Sequence, residues 1–89
     1  MEERKLSLIN IKYGKDWITL DLRCRQMRYL HDIADMGEIE FFPMSHSDVE
    51  AYENLFNEDR KLFWESLVED LADRGLPINA KDCEVVKLQ

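Results

Sequence analysis

The chain has few of the residues that mark specialised folds. Among its 89 residues there are three glycines, two prolines and two cysteines. Gly14, Gly37 and Gly75 stand far apart, so no glycine-rich phosphate loop can be drawn. Cys24 and Cys83 are also distant and lie among apolar residues, which points to buried free thiols in a reducing cytoplasm rather than to a disulfide framework. No C-x-x-C or H-x-x-x-H pair exists around these cysteines, His31 or His46, so neither a zinc site nor any other metal or cofactor is expected. Long apolar runs are missing as well: none exceeds three residues, as in Leu62-Phe63-Trp64. Met1 is followed by Glu2-Glu3-Arg4-Lys5, and the reading is a cytoplasmic chain with no signal peptide and no membrane span. Positive charge is scarce. Twelve Lys and Arg against nineteen Asp and Glu give a net charge of -7, which opposes a general affinity for nucleic acid or anionic membrane.

What remains is an ordinary globular composition, 45% apolar and 35% charged, over a length that suits one domain spanning residues 1–89. A chain of this size buries only a little over ~60% of its unfolded surface. A second copy would enlarge that small core, so a homodimer is a standing expectation.

The apolar pattern supplies the elements. Residues 5–13 and 16–25 are rich in Ile, Leu, Trp, Thr and Tyr, and Gly14-Lys15 between them suits a type II′ hairpin turn. That turn sets Tyr13 against Asp16, Ile11 against Ile18, Ile9 against Leu20 and Ser7 against Leu22, an almost wholly apolar face. Met27, Leu30, Ile33 and Ala34 recur at helical spacing and predict a short helix over 26–36, stopped by Gly37. Glu38-Ile39-Glu40-Phe41-Phe42 alternates as a strand and ends at Pro43. Ser47 and Glu50 form a capping box that opens a helix, with Asn57-Glu58-Asp59 as a second cap. Residues 48–74 are therefore one long helix or two with a break at Asn57. Gly75-Leu76-Pro77 stops the helical stretch, with Leu76 folding back on Leu71, and residues 83–88 close the chain as a strand. The expected architecture is α+β: a hairpin plus two further strands in a mainly antiparallel sheet, with a short helix and a long or broken acidic helix on one face.

Charge is unevenly divided. Residues 1–28 carry +3, residues 29–80 carry -10 and the last nine balance at zero. On a helical wheel of residues 58–74, Phe63, Trp64, Leu67, Val68, Leu71 and Ala72 occupy one half. Glu58, Asp59, Glu65, Glu69, Asp70 and Asp73 occupy much of the other. Glu65, Glu69 and Asp73 stand at i, i+4 and i+8, roughly 6 Å apart along the axis, close to the spacing of phosphates on a nucleic-acid strand. Leu62, ringed by these carboxylates, is the candidate apolar anchor of an interface with a charged rim. The expected partner-binding set is thus Glu58, Asp59, Leu62, Glu65, Glu69, Asp70 and Asp73. It would present a phosphate-like row to a basic, nucleic-acid-binding protein and block it.

Two other readings compete. The basic hairpin offers Lys12, Arg23, Arg25 and Arg28 with Trp17 as a stacking residue, the makings of an RNA- or DNA-binding surface. An exposed sheet edge or a Leu62/Trp64 patch would instead suit an adaptor. Catalysis is not expected. Ser45 and Ser47 flank His46, but adjacency does not make a nucleophile and its base, and paired acids such as Glu38 and Glu40 are inevitable in so acidic a chain.

The acid-lined segment Asn57-Glu58-Asp59-Arg60-Lys61-Leu62-Phe63-Trp64-Glu65-Ser66-Leu67-Val68-Glu69-Asp70, in a short chain without a catalytic motif, resembles in style the small acidic early proteins of bacteriophages. These are single domains that take over a host function by binding one host protein. The resemblance implies an inhibitor of a host nucleoid protein, polymerase or nuclease, often homodimeric and acting in the host cytoplasm. The basic hairpin departs from an all-acidic mimic.

Overall fold

The first turn forms where a glycine permits it. In the computed structural model, which describes residues 7–33 and 36–88, Gly14 has φ +61° and Lys15 no positive φ, as a type II′ turn requires. β1 (Leu8–Tyr13) and β2 (Asp16–Asp21) pair antiparallel, with Tyr13 opposite Asp16, Ile11 opposite Ile18 and Ile9 opposite Leu20, the register the turn dictates. The Leu22 amide adds one more rung by donating to the Ser7 carbonyl at 2.8 Å. Residues 5 and 6 of the expected strand lie outside the described residues. β2 stops at Asp21 and does not run on to residue 25. The Asp21 carboxylate accepts from the Cys24 amide at 3.0 Å, and Arg25 turns the chain with φ +55°.

Residues 26–33 are strand, not helix. β3 (Gln26–Ile33) and β4 (Met36–Pro43) pair antiparallel, with Met27 opposite Phe42, Tyr29 opposite Glu40 and Leu30 opposite Ile39. The helical spacing of Met27, Leu30 and Ile33 misleads because β3 carries apolar side chains on both faces. Met27 and Tyr29 enter the core and Leu30 points the other way, so the period of two is lost. Gly37, expected to stop a helix, sits inside β4 opposite Asp32. Ala34, also assigned to that helix, lies outside the described residues.

The helical layer begins as soon as the sheet releases the chain. The Met44 amide donates to the Arg25 carbonyl at 2.9 Å, the last rung of β3 and β4, and the Met44 side chain is buried. Ser45 is then the first residue free to cap. Its hydroxyl accepts from the Asp48 amide at 3.1 Å and the Asp48 carboxylate accepts from the Ser45 amide at 3.3 Å, so the box is Ser45/Asp48, not Ser47/Glu50. There are two helices, α1 (His46–Glu58) and α2 (Arg60–Asp73). Their break falls at Asp59 rather than Asn57. Asp59 leaves helical geometry (φ -145°, ψ 83°), its amide closes α1 on the Leu55 carbonyl at 2.8 Å, and its carboxylate opens α2 by accepting from the Leu62 amide at 3.2 Å. α2 ends as expected. The Leu76 amide donates to Leu71 (2.8 Å) and the Gly75 amide to Ala72 (3.0 Å), with Gly75 at φ +83°, a Schellman stop. A 3₁₀ turn at Ala80–Asp82 leads into β5 (Cys83–Leu88), which pairs antiparallel with β1.

The result is an α+β fold: a five-stranded antiparallel sheet in the order β4-β3-β2-β1-β5, with both helices packed on one face. Ile9, Ile11, Ile18, Leu20 and Met27 from the sheet meet Val49, Tyr52 and Phe56 of α1 and Phe63, Leu67 and Leu71 of α2 in one core. Phe63 is at its centre, with its ring centroid 5.1 Å from that of Phe56 and 5.9 Å from that of Tyr52, both edge to face. Among the described residues no helix is long and apolar enough to cross a membrane.

Candidate functional site

α2 turns Phe63, Leu67 and Leu71 inward, and its 3.6-residue period therefore leaves Leu62, Glu65, Glu69 and Asp73 outside. All four are exposed, Leu62 at 43%. Glu65, Glu69 and Asp73 have no ion-pair or hydrogen-bonding partner among the described residues. The nearby arginines are drawn elsewhere. Arg60 lies 3.6 Å from the Phe56 ring centroid and donates from Nε to the Phe56 carbonyl at 2.9 Å, while Arg74 lies 4.8 Å from the centroid of Phe42.

The other expected members have structural occupations. Asp59 is the cap between the helices, and Glu58 is the last residue of α1, not part of α2. Asp70 is half-buried and accepts a hydrogen bond from the Tyr52 hydroxyl, tying α2 to α1. Burial, then the bond to Asp70, pushes the Tyr52 phenol above its ordinary range. The seven residues do not form a single face.

Next to the row is a feature that the sequence does not announce. Trp64 and Val68 on α2, with Ile78 and Ala80 from the segment after it, line a groove of about 770 Å³ whose rim holds Glu65, Glu69 and Lys61. Trp64 and Val68 are half-buried, so their apolar surface is only partly used by the core. The sequence sets Trp64 beside Leu62 as an apolar patch, whereas in the fold its groove neighbours are Val68, one turn on, and Ile78. The only hint in the sequence was Pro77 followed by Ile78, an apolar residue in a connecting segment.

The face of the sheet opposite the helices is the second surface. Across the strands in register run Ile39, Leu30, Trp17, Lys12 and Glu84, and beside them Phe41, Arg28, Thr19 and Asn10. Leu8, Trp17, Leu30, Ile39 and Val86 surround a shallow depression of about 460 Å³. This face brings together Lys12, Trp17 and Arg28 of the alternative nucleic-acid set, while Arg23 and Arg25 stand in the turn between β2 and β3. Its cations are engaged. Arg28 pairs with Asp21 at 3.2 Å, and the Lys12 ammonium lies 4.5 Å from the Trp17 ring centroid with Glu84 as its cross-strand neighbour.

Cys24 is exposed in the β2–β3 turn and Cys83 is half-buried at the start of β5, at opposite ends of the sheet, and both are free thiols. Burial pushes the Cys83 thiol up to about 11, with Asp82 adding to the effect. On the helix-covered face the Tyr29 hydroxyl donates to Asp16 at 2.7 Å, and His31 bonds to Glu40 across β3 and β4. Among the described residues no three His, Cys, Asp or Glu side chains are placed to hold a metal ion. No known protein family, curated protein or solved structure matches the chain.

Proposed function

We propose that the chain is a small protein-binding module, not an enzyme, that seats a basic segment of a partner on the outer side of α2 and thereby occupies that partner's nucleic-acid-binding surface. The observation that carries this reading is the juxtaposition of carboxylates that make no ion pair among the described residues, Glu65 and Glu69, with an apolar groove floored by Trp64, Val68 and Ile78. Lys or Arg side chains of the partner would meet the carboxylates while an apolar side chain fills the groove, an anchor within a polar rim. Asp73 extends the row and Leu62 borders it. A host nucleoid protein, polymerase or nuclease has the required basic surface, and the cytoplasm, that of the host if the chain is viral, is where the two would meet.

Direct nucleic-acid binding by the hairpin has less support. Of the four candidate cations Lys12, Arg23, Arg25 and Arg28, Arg28 is neutralised by Asp21 and Lys12 lies against Trp17, in a chain of net charge -7.

Capture from nuclease-treated bacterial lysate with stepped salt elution tests the proposal. The expected captures are basic nucleic-acid-binding proteins that elute as salt rises, that duplex DNA displaces, and that a Glu65→Lys/Glu69→Lys variant no longer holds. Capture that is unchanged in this variant, or tight binding of DNA or RNA by the chain itself in a gel shift, overturns it.

A further inference from the structure

In a two-layer fold the face of the sheet turned away from the helices normally meets water and alternates to polar residues. Here that face carries an apolar band, with Ile39, Leu30 and Trp17 adjacent across β4, β3 and β2 and Leu8, Phe41 and Val86 beside them. Ile39, Phe41 and Val86 are 49%, 54% and 50% exposed, with Trp17 and Leu30 between them. Three large apolar side chains half in water on one continuous surface mark an interface.

Charge selects the occupant. The face is close to neutral, because Arg28 is matched by Asp21 and Lys12 stands across from Glu84. Among the residues whose side chains are described, a polyanion finds no uncommitted cation there, and a strongly basic protein would be drawn to the helical side instead. A second copy of a -7 chain is repelled by most of the surface and meets least repulsion where the charges cancel. Area agrees. Five strands at about 4.8 Å spacing and roughly 20 Å of length give each copy a footprint of about 500 Å². Two such faces together remove on the order of 1,000 Å² from water, about where specific interfaces begin.

We infer that the chain is a two-fold dimer in which the open sheet faces pack on each other, Trp17, Leu30, Ile39 and Phe41 forming the contact. The helices lie on the far side of each sheet, so the two α2 rows point away from one another and both grooves stay accessible. The inference stands independently of what α2 binds.

Sedimentation velocity of the full chain across micromolar concentrations tests it, with Phe41→Lys and Val86→Lys on opposite flanks of the face. Both sites are exposed, and far-UV circular dichroism checks that each variant is folded; should one fail to fold, the other decides. The wild type is expected to approach twice the 10.6 kDa of one chain, and both lysine variants to stay at that single mass. Glu65→Lys should remain dimeric, and added salt should tighten the dimer by screening its self-repulsion. In a Trp64→Phe background the emission of Trp17 should shift to the blue as the dimer forms. A wild type that stays monomeric, a dimer indifferent to both lysines, or one dissociated by Glu65→Lys instead overturns the inference.

Discussion

Asp70 distinguishes the carboxylates that hold α2 in place from those left for a partner, and replacing it by alanine gives a measurable difference. The Tyr52 hydroxyl is its counterpart: Tyr52 is 4% exposed, and among the described residues its hydroxyl hydrogen-bonds to the Asp70 carboxylate and, at 3.3 Å, to the Ser66 carbonyl. A hydrogen bond to a charged acceptor contributes about 1.5–3 kcal/mol net. Without Asp70 the phenol can still turn to Ser66, so the expected loss is about 1–2 kcal/mol. For a domain of this size that lowers Tm by about 5–15 °C. Glu69→Ala, one residue earlier but exposed and unpaired, should change stability by no more than about 0.5 kcal/mol. The assay is urea unfolding followed by circular dichroism at neutral pH on the wild type, Asp70→Ala, Tyr52→Phe and the double variant. A coupling near 1 kcal/mol is expected between the two positions. Coupling within the ~0.3–0.5 kcal/mol scatter of additive pairs would show that the bond does not hold the helices together. An Asp70→Ala variant of full stability that fails to bind the partner would return Asp70 to the binding row.

Other outcomes follow from the same geometry. Ser45→Ala should cost about 1 kcal/mol in a chemical melt and Ser47→Ala only a few tenths, since Ser45 alone caps α1; the reverse order would place the cap where the sequence suggested. Gly14→Ala should cost about 1–2 kcal/mol through its positive φ alone, because a Cβ there meets nothing within 4 Å; no loss would rule out the type II′ turn. Tyr29, Tyr52 and Cys83 all hold their protons more tightly when folded. Their contribution is therefore complete below the ordinary thiol value of 9.0 and fades as pH rises toward about 11, so urea midpoints should fall over that range, and a flat profile would contradict the burial of these groups. A thiol reagent at neutral pH should modify exposed Cys24 quickly and Cys83 slowly, as mass spectrometry of timed samples would show; equal rates would contradict the packing of β5.

The hairpin was readable because two independent signals coincide: Gly14 sets the turn, and the turn's register puts Ile9, Ile11, Ile18 and Leu20 on one face. The α2 stop was readable for the same kind of reason, with Gly75 and Pro77 agreeing. β3 was not, because Leu30 belongs to the open face; an apolar residue on the side without a helical layer destroys the alternation that identifies a strand. The same residue that hides the strand helps to make the sheet face sticky, so the failure of the pattern and the second surface have one cause. The caps were displaced by two residues each because Ser45 and Ser47, like Asn57 and Asp59, are chemically equivalent candidates. Only the last rung at Met44 and the bond from the Asp59 amide to Leu55 decide between them. Glu65, Glu69 and Asp73 follow from helical period alone, whereas the groove beside them depends on where Ile78 lands after the chain has turned.

The position of β5 sets a timetable for the molecule. β1, β2 and β3 each pair with the strand next in sequence, but β1 gains its second neighbour only from β5, about 70 residues further on. During synthesis at ~5–20 residues per second, β1 therefore waits several seconds or more with one edge of its backbone open. Ile9 and Ile11 lie on that strand, and an unpaired apolar edge is a template for pairing with other chains. A ribosome that stalls before residue 83 leaves a nascent chain with a second adhesive edge, on its first strand, besides the β4 edge that the complete fold retains.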